Sequence, residues 1–190
     1  MRNVSRSLSS RREILGVTGK TLSAAAISLV LGSKIKTASA ADASQDIGIL
    51  NAAIALEHEG IAAYQIAATS GLLQPAVVDI GVTFQGHHKG HRDILVSAVE
   101  TLGGTPVEEK SLGAYAQDLN VSNLKNQEDV LRLALRLEQG AANAYLGLIP
   151  SLGPDFHQVA AQMAGDETFH AAILANALGL PIPKDAMMFG

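Results

Sequence analysis

Two stretches of this chain repeat one pattern at matching offsets, and that repetition limits the folds open to it. Leu56-Glu57 is followed by Ala63-Tyr64, and Leu137-Glu138 by Ala144-Tyr145, so each glutamate precedes a tyrosine by seven residues. Further on, His88-x-x-His91 precedes Ile94-Leu95, and Glu167-x-x-His170 precedes Ile173-Leu174. Glu57 and His91 are 34 residues apart and Glu138 and His170 are 32 apart. Agreement in four spacings marks an internal repeat, one helical hairpin used twice.

The punctuation between the helices sets their order. A first helix is predicted over 45–70, with no proline and with apolar residues at 50, 54, 61 and 68. Gly71 to Gln74 form a turn, and Pro75 suits the first position of a second helix, which runs to about Leu102 before Gly103-Gly104. Asn126 is the expected N-cap of a third helix ending near Ile149-Pro150, and Pro154 opens a fourth that stops at Gly179. The short turns force each pair of helices antiparallel. The connection from Thr105 to Lys125 is long for a compact domain, and crossing the length of a bundle accounts for it. Short, long, short is an all-α four-helix bundle with one long crossover between helices 2 and 3. With only 4 % aromatic residues and no Trp, its core must be filled by small aliphatic side chains, which suits closely packed helices.

Six polar residues fall on the apolar stripes of these helices. Glu57 shares a face with Leu50, Ile54, Ile61 and Tyr64, and Glu138 with Leu131, Ala134, Leu135 and Tyr145. His88 and His91 share one with Phe84 and Leu95, and Glu167 and His170 one with Met163 and Leu174. Buried carboxylates are costly unless neutralised, and several together repel one another unless a cation lies between them. A divalent ion resolves both problems. The chain has no cysteine, so any metal here uses nitrogen and oxygen donors, a set that fits iron or manganese and also zinc. His87, four residues before His91, competes with His88 for the inward position, and the repeat favours His88. His58 and Glu59 are expected at the surface, and His157 is expected to be solvated at the start of the fourth helix. Tyr64 and Tyr145 are expected to donate hydrogen bonds to the centre or to pack beside it.

These residues resemble those of the ferritin-like superfamily of dinuclear carboxylate proteins. In that fold two helices each give a Glu and the other two each give Glu-x-x-His. The resemblance covers essentially all of residues 45–180. It implies that Glu57, Glu138, Glu167, His91 and His170 are metal ligands, with Tyr64 and Tyr145 at the family's tyrosine position. One position departs: His88 stands where the second helix of the family carries Glu. That removes a charge and a bridging oxygen, so the expected centre is dinuclear with one more nitrogen ligand, unequal at its two positions, or mononuclear.

The first forty residues read as an address. Ser10-Arg11-Arg12-Glu13-Ile14-Leu15-Gly16 resembles the twin-arginine export motif, the apolar run Leu22–Leu31 is too short to span a bilayer comfortably, and Ala38-Ser39-Ala40 is a small-residue cleavage site. The expected organisation is a signal peptide over 1–40, cleaved after Ala40 on export to the periplasm by the twin-arginine machinery, and a bundle over 41–190. Seven of the fourteen basic residues and one of the eighteen acidic residues precede position 41. The remainder is strongly acidic, which excludes nucleic acid as a partner and suits the gathering of cations. Three functions remain open: an oxidoreductase whose iron or manganese pair reacts with oxygen or peroxide, metal storage without turnover, and a structural module that has lost its metal. The apolar tail Met187-Met188-Phe189 is expected to dock on the bundle or on a neighbouring subunit, which leaves a homo-oligomer open.

Overall fold

The computed structural model describes residues 40–189, so the signal-peptide reading lies outside the described residues. Four long helices form the bundle: α1 (Ala40–Thr69), α2 (Pro75–Thr101), α4 (Gln127–Leu148) and α5 (Pro154–Ala177). A short helix, α3 (Leu112–Asp118), and a 3-10 turn (Val121–Asn123) lie on the crossover. There are no strands among the described residues. No helix among them is long and apolar enough to cross a membrane.

Local chemistry explains the ends of these helices. Pro75 and Pro154 sit at the first turns of α2 and α5, where a missing N–H costs nothing. At α4 the Asn126 side chain accepts from the Asp129 N–H at 2.9 Å, while the Asp129 carboxylate accepts from the Lys125 N–H at 2.8 Å. Helices α2 and α5 end alike. Gly103 and Gly179 take positive φ of 79° and 65°, and the next N–H turns back to the carbonyl of Val99 or Ala175.

α1 packs along α2, and α4 along α5. The two hairpins face each other through α1 against α4 and α2 against α5. Glu57 lies by Tyr145 and Tyr64 by Glu138, so α1 and α4 are antiparallel and α2 and α4 parallel, as the crossover requires. One apolar core, around Ile54, Val99, Tyr145 and Met163, fills one end of the bundle, and a smaller one around Phe84, Leu131 and Leu174 fills the other. Phe189 packs on the second core, so the tail docks on its own bundle.

Two expectations about the surface fail. His58 is buried, because the crossover runs over that flank of α1; its Nε2 is 3.2 Å from the Val107 carbonyl oxygen. Glu59 is half-buried beside it. His157 is half-buried too, its Nε2 donating to the Leu152 carbonyl at 2.8 Å.

Candidate metal centre

All six residues singled out on the apolar stripes meet in one layer between the two cores. Glu57, Glu138, Glu167 and His170 are at most 1 % exposed, and His88 and His91 are buried. They form two overlapping sets whose donor atoms lie within 4.8 Å of one another, each able to hold a metal ion. One set is Glu57, His88, His91 and Glu167; the other is His88, Glu138, Glu167 and His170. Glu167 and His88 belong to both. Each set therefore takes three residues from one hairpin and borrows the fourth from the other.

The imidazoles are not equivalent. Nδ1 of His91 lies 3.1 Å from Glu167, and its outer nitrogen, Nε2, is 3.1 Å from Asp166. Nδ1 of His170 lies 3.3 Å from Glu167 and 3.4 Å from Glu138, and its Nε2 is 2.9 Å from Nδ1 of His87. With the outer nitrogens so tied, Nδ1 of each ring can turn a lone pair inward, the arrangement that orients histidine ligands. His88 has no such partner. Its Nδ1 is 2.8 Å from Glu57 and its Nε2 is 3.3 Å from Glu138, so both of its nitrogens face the centre. It can come that close because α1 carries Gly60, where a Cβ would stand 3.1 Å from the His88 ring.

The tyrosines cross between hairpins. The Tyr64 hydroxyl donates to Glu138, and the Tyr145 hydroxyl to Glu57. Each tyrosine follows one glutamate by seven residues in sequence and bonds the other in space. Burial and the charge of the bonded glutamate push both phenols far above their usual range, so they stay protonated and donate.

Protons neutralise this layer in the metal-free chain. Burial opposes charge on His88, but hydrogen bonds to Glu138 and Glu57 outweigh it and lift its pKa from 6.5 to about 11. For His91, hydrogen bonds to Glu167 and Glu57 overcome burial and lift it to about 10. His170 moves up for the same reason, through Glu138 and Glu167. Burial would raise Glu57, yet His88 and His91 pull it from 4.5 to about 2. Burial raises Glu167.

His87, the alternative to His88, does not reach the carboxylates. It stacks on the His170 ring with centroids 5.1 Å apart and stays exposed. Asp166 was not anticipated; it sits next to Glu167 on an exposed face, where an acidic residue carries no sequence signal. Asp46 was also missed. It is buried at the far end of the bundle, accepting from the Gly153 N–H at 2.8 Å where α5 begins.

No curated protein matches this chain significantly. Among solved structures, a conserved hypothetical protein from Mycobacterium tuberculosis is similar in fold. Its TM-score is 0.64 at 24 % identity, over 76 % of this chain and 98 % of that one. The ferritin-like domain family matches residues 45–180, which include the whole polar layer and both cores' principal residues. The chain belongs to the ferritin-like domain family.

Proposed function

We propose that this chain is an exported metal-binding protein whose buried layer holds a pair of iron or manganese ions and reacts with oxygen or peroxide. The overlap of the two four-residue sets through Glu167 and His88 carries the reading, because shared donors bring two ions close together. Neighbouring divalent ions of these metals supply electrons and Lewis acidity. The chain supplies the rest. Tyr64 and Tyr145 steady the two outer carboxylates, Asp166 and His87 orient two imidazoles, and the flanking cores close the layer off at both ends. Three carboxylates against two dications leave one positive charge, which a hydroxide can balance. Zinc fits the same donors but brings no redox chemistry.

Elemental analysis of protein from its native compartment tests this, alongside oxygen and peroxide consumption by the loaded and stripped forms. About two iron or manganese ions per chain and turnover only when loaded are expected. Equal turnover by the metal-free form defeats the oxidoreductase reading. Metal without turnover points to storage, and size-exclusion chromatography separates a cage from a monomer or dimer. Export is tested by Arg11→Lys together with Arg12→Lys, which should retain the chain in the cytoplasm.

A specific observation supports a second reading. His88 lies within hydrogen-bond reach of both Glu57 and Glu138, so an imidazolium there acts as a built-in cation. A ferritin-like module stabilised by that ion pair needs no metal, and elemental analysis showing none would favour it.

A further inference from the structure

Where the crossover passes over α1, one buried polar atom has no partner. Among the described residues, Nδ1 of His58 is the buried side-chain nitrogen that no hydrogen bond satisfies. The residue is only 7 % exposed, and its other nitrogen, Nε2, is 3.2 Å from the Val107 carbonyl oxygen. A carbonyl only accepts, so Nε2 carries the proton and donates, and Nδ1 of the neutral ring presents a bare lone pair. The Asn51 amide fixes the same stretch of crossover, donating to the Thr105 carbonyl at 3.0 Å and accepting from the Val107 N–H at 2.7 Å. The backbone facing α1 thus sets both the tautomer and the direction of the ring. Histidine ligands are oriented in this way, by a hydrogen bond from the outer N–H to a carbonyl.

That lone pair faces Glu109 of the crossover. One carboxylate oxygen lies 4.0 Å from Nδ1, too far for a hydrogen bond. Two acceptors facing each other are reconciled by a cation between them. A metal ion about 2.1 Å from each of two donors sets them about 3.4 Å apart at a tetrahedral angle and about 4.2 Å apart when they are opposite. The observed gap falls inside that range, and the Glu109 side chain, 67 % exposed, is free to adjust it. Lys110, next along the chain, turns to Asp118 at 2.8 Å and lies over the Tyr115 ring. We propose that Nδ1 of His58 and the Glu109 carboxylate form a separate divalent-metal site, outside the buried layer, that takes zinc or a similar borderline ion and pins the crossover to α1. An imidazole donor suits zinc, whereas calcium and magnesium take oxygen ligands. With two protein donors and water at the other positions, the site exchanges freely with solvent.

Calorimetric titration of the metal-free full chain with zinc, and separately with calcium, tests this. The unaltered chain is expected to show one zinc-binding step more than Glu109→Gln, with no corresponding step for calcium. Glu109→Gln should weaken that step by about a hundredfold. Glu109→His, which exchanges one zinc donor for another, should keep it. Glu109 is exposed, so neither change puts folding at risk. His58→Gln, whose amide can still donate to the Val107 carbonyl, should lose the same step. Binding by the buried layer should be the same in all these chains. The step is counted as a difference between chains, so it is readable whether or not the buried layer takes metal, and failure of that reading leaves this one standing. Equal zinc binding by the unaltered chain and Glu109→Gln overturns the proposal. So does a step that Glu109→Gln abolishes and His58→Gln retains, or one that Glu109→His also loses.

Discussion

His91 and His170 each have an outer nitrogen held by a neighbour, while His88 turns both nitrogens on glutamates. That difference gives His88 a separate role in the metal-free protein, where it stands between Glu57 and Glu138 as an imidazolium. Replacing it with alanine strands two buried carboxylates, and breaking a buried pair this way costs about 3 kcal/mol. Thermal denaturation of metal-free His88→Ala should show that loss. His88→Glu should destabilise the metal-free protein further yet raise its affinity for divalent ions, read from the metal-to-protein ratio after dialysis. The same groups set a pH profile. The stabilisation from Glu57 is complete above 4.5 and disappears as pH falls through about 2. That from His88 is complete below 6.5 and disappears as pH rises through about 11. The melting temperature of the metal-free protein should therefore be highest between about pH 4.5 and 6.5. Metal displaces the imidazole protons, so loading should flatten the alkaline fall and tighten binding as pH rises. A metal-free profile flat from pH 6 to 10 would contradict the assignment of charge to His88.

Elements were more legible in the sequence than the contacts between them. Prolines, glycines and the Asn126 cap marked the four long helices, and the apolar stripes placed the six inward polar residues, since helical periodicity alone puts a residue on a face. What covers a face is a tertiary matter. His58 is rotated away from the stripe of α1, and only the crossover, with buried Tyr115 on α3, turns that flank into interior. The tyrosine offset was visible too, but nothing in a spacing says that each tyrosine bonds the glutamate of the other hairpin. Asp46 is a contact of the same kind, reaching from α1 to the Gly153 N–H at the start of α5, 107 residues away. Asp46→Ala should cost about 1–2 kcal/mol in thermal or denaturant unfolding, as loss of a helix cap does. Metal content should not change, because the polar layer lies farther along the bundle. Gly153→Ala should be at least as harmful, since its Cβ would fall 2.6 Å from the Asp46 carboxylate.

At the scale of the whole molecule, a polar layer able to hold metal divides two apolar cores, and binding there would be linked to stability. An ion that binds only the folded chain adds about 2.7 kcal/mol at a hundredfold excess over its dissociation constant. Stripping the metal with a chelator should lower the melting temperature by roughly 5–10 °C, and adding it back should restore the loss. Equal melting temperatures for the two forms would show that the layer does not take up the ion. The loan of Glu167 and His88 between hairpins has one more consequence. Neither half of the chain carries all four donors of either set, so a metal ion would meet its full complement of protein donors only after the two hairpins have docked. Occupancy would then report on completed folding: tight retention of a metal ion would mark a chain whose two hairpins have docked, and a misassembled chain would hold it only weakly.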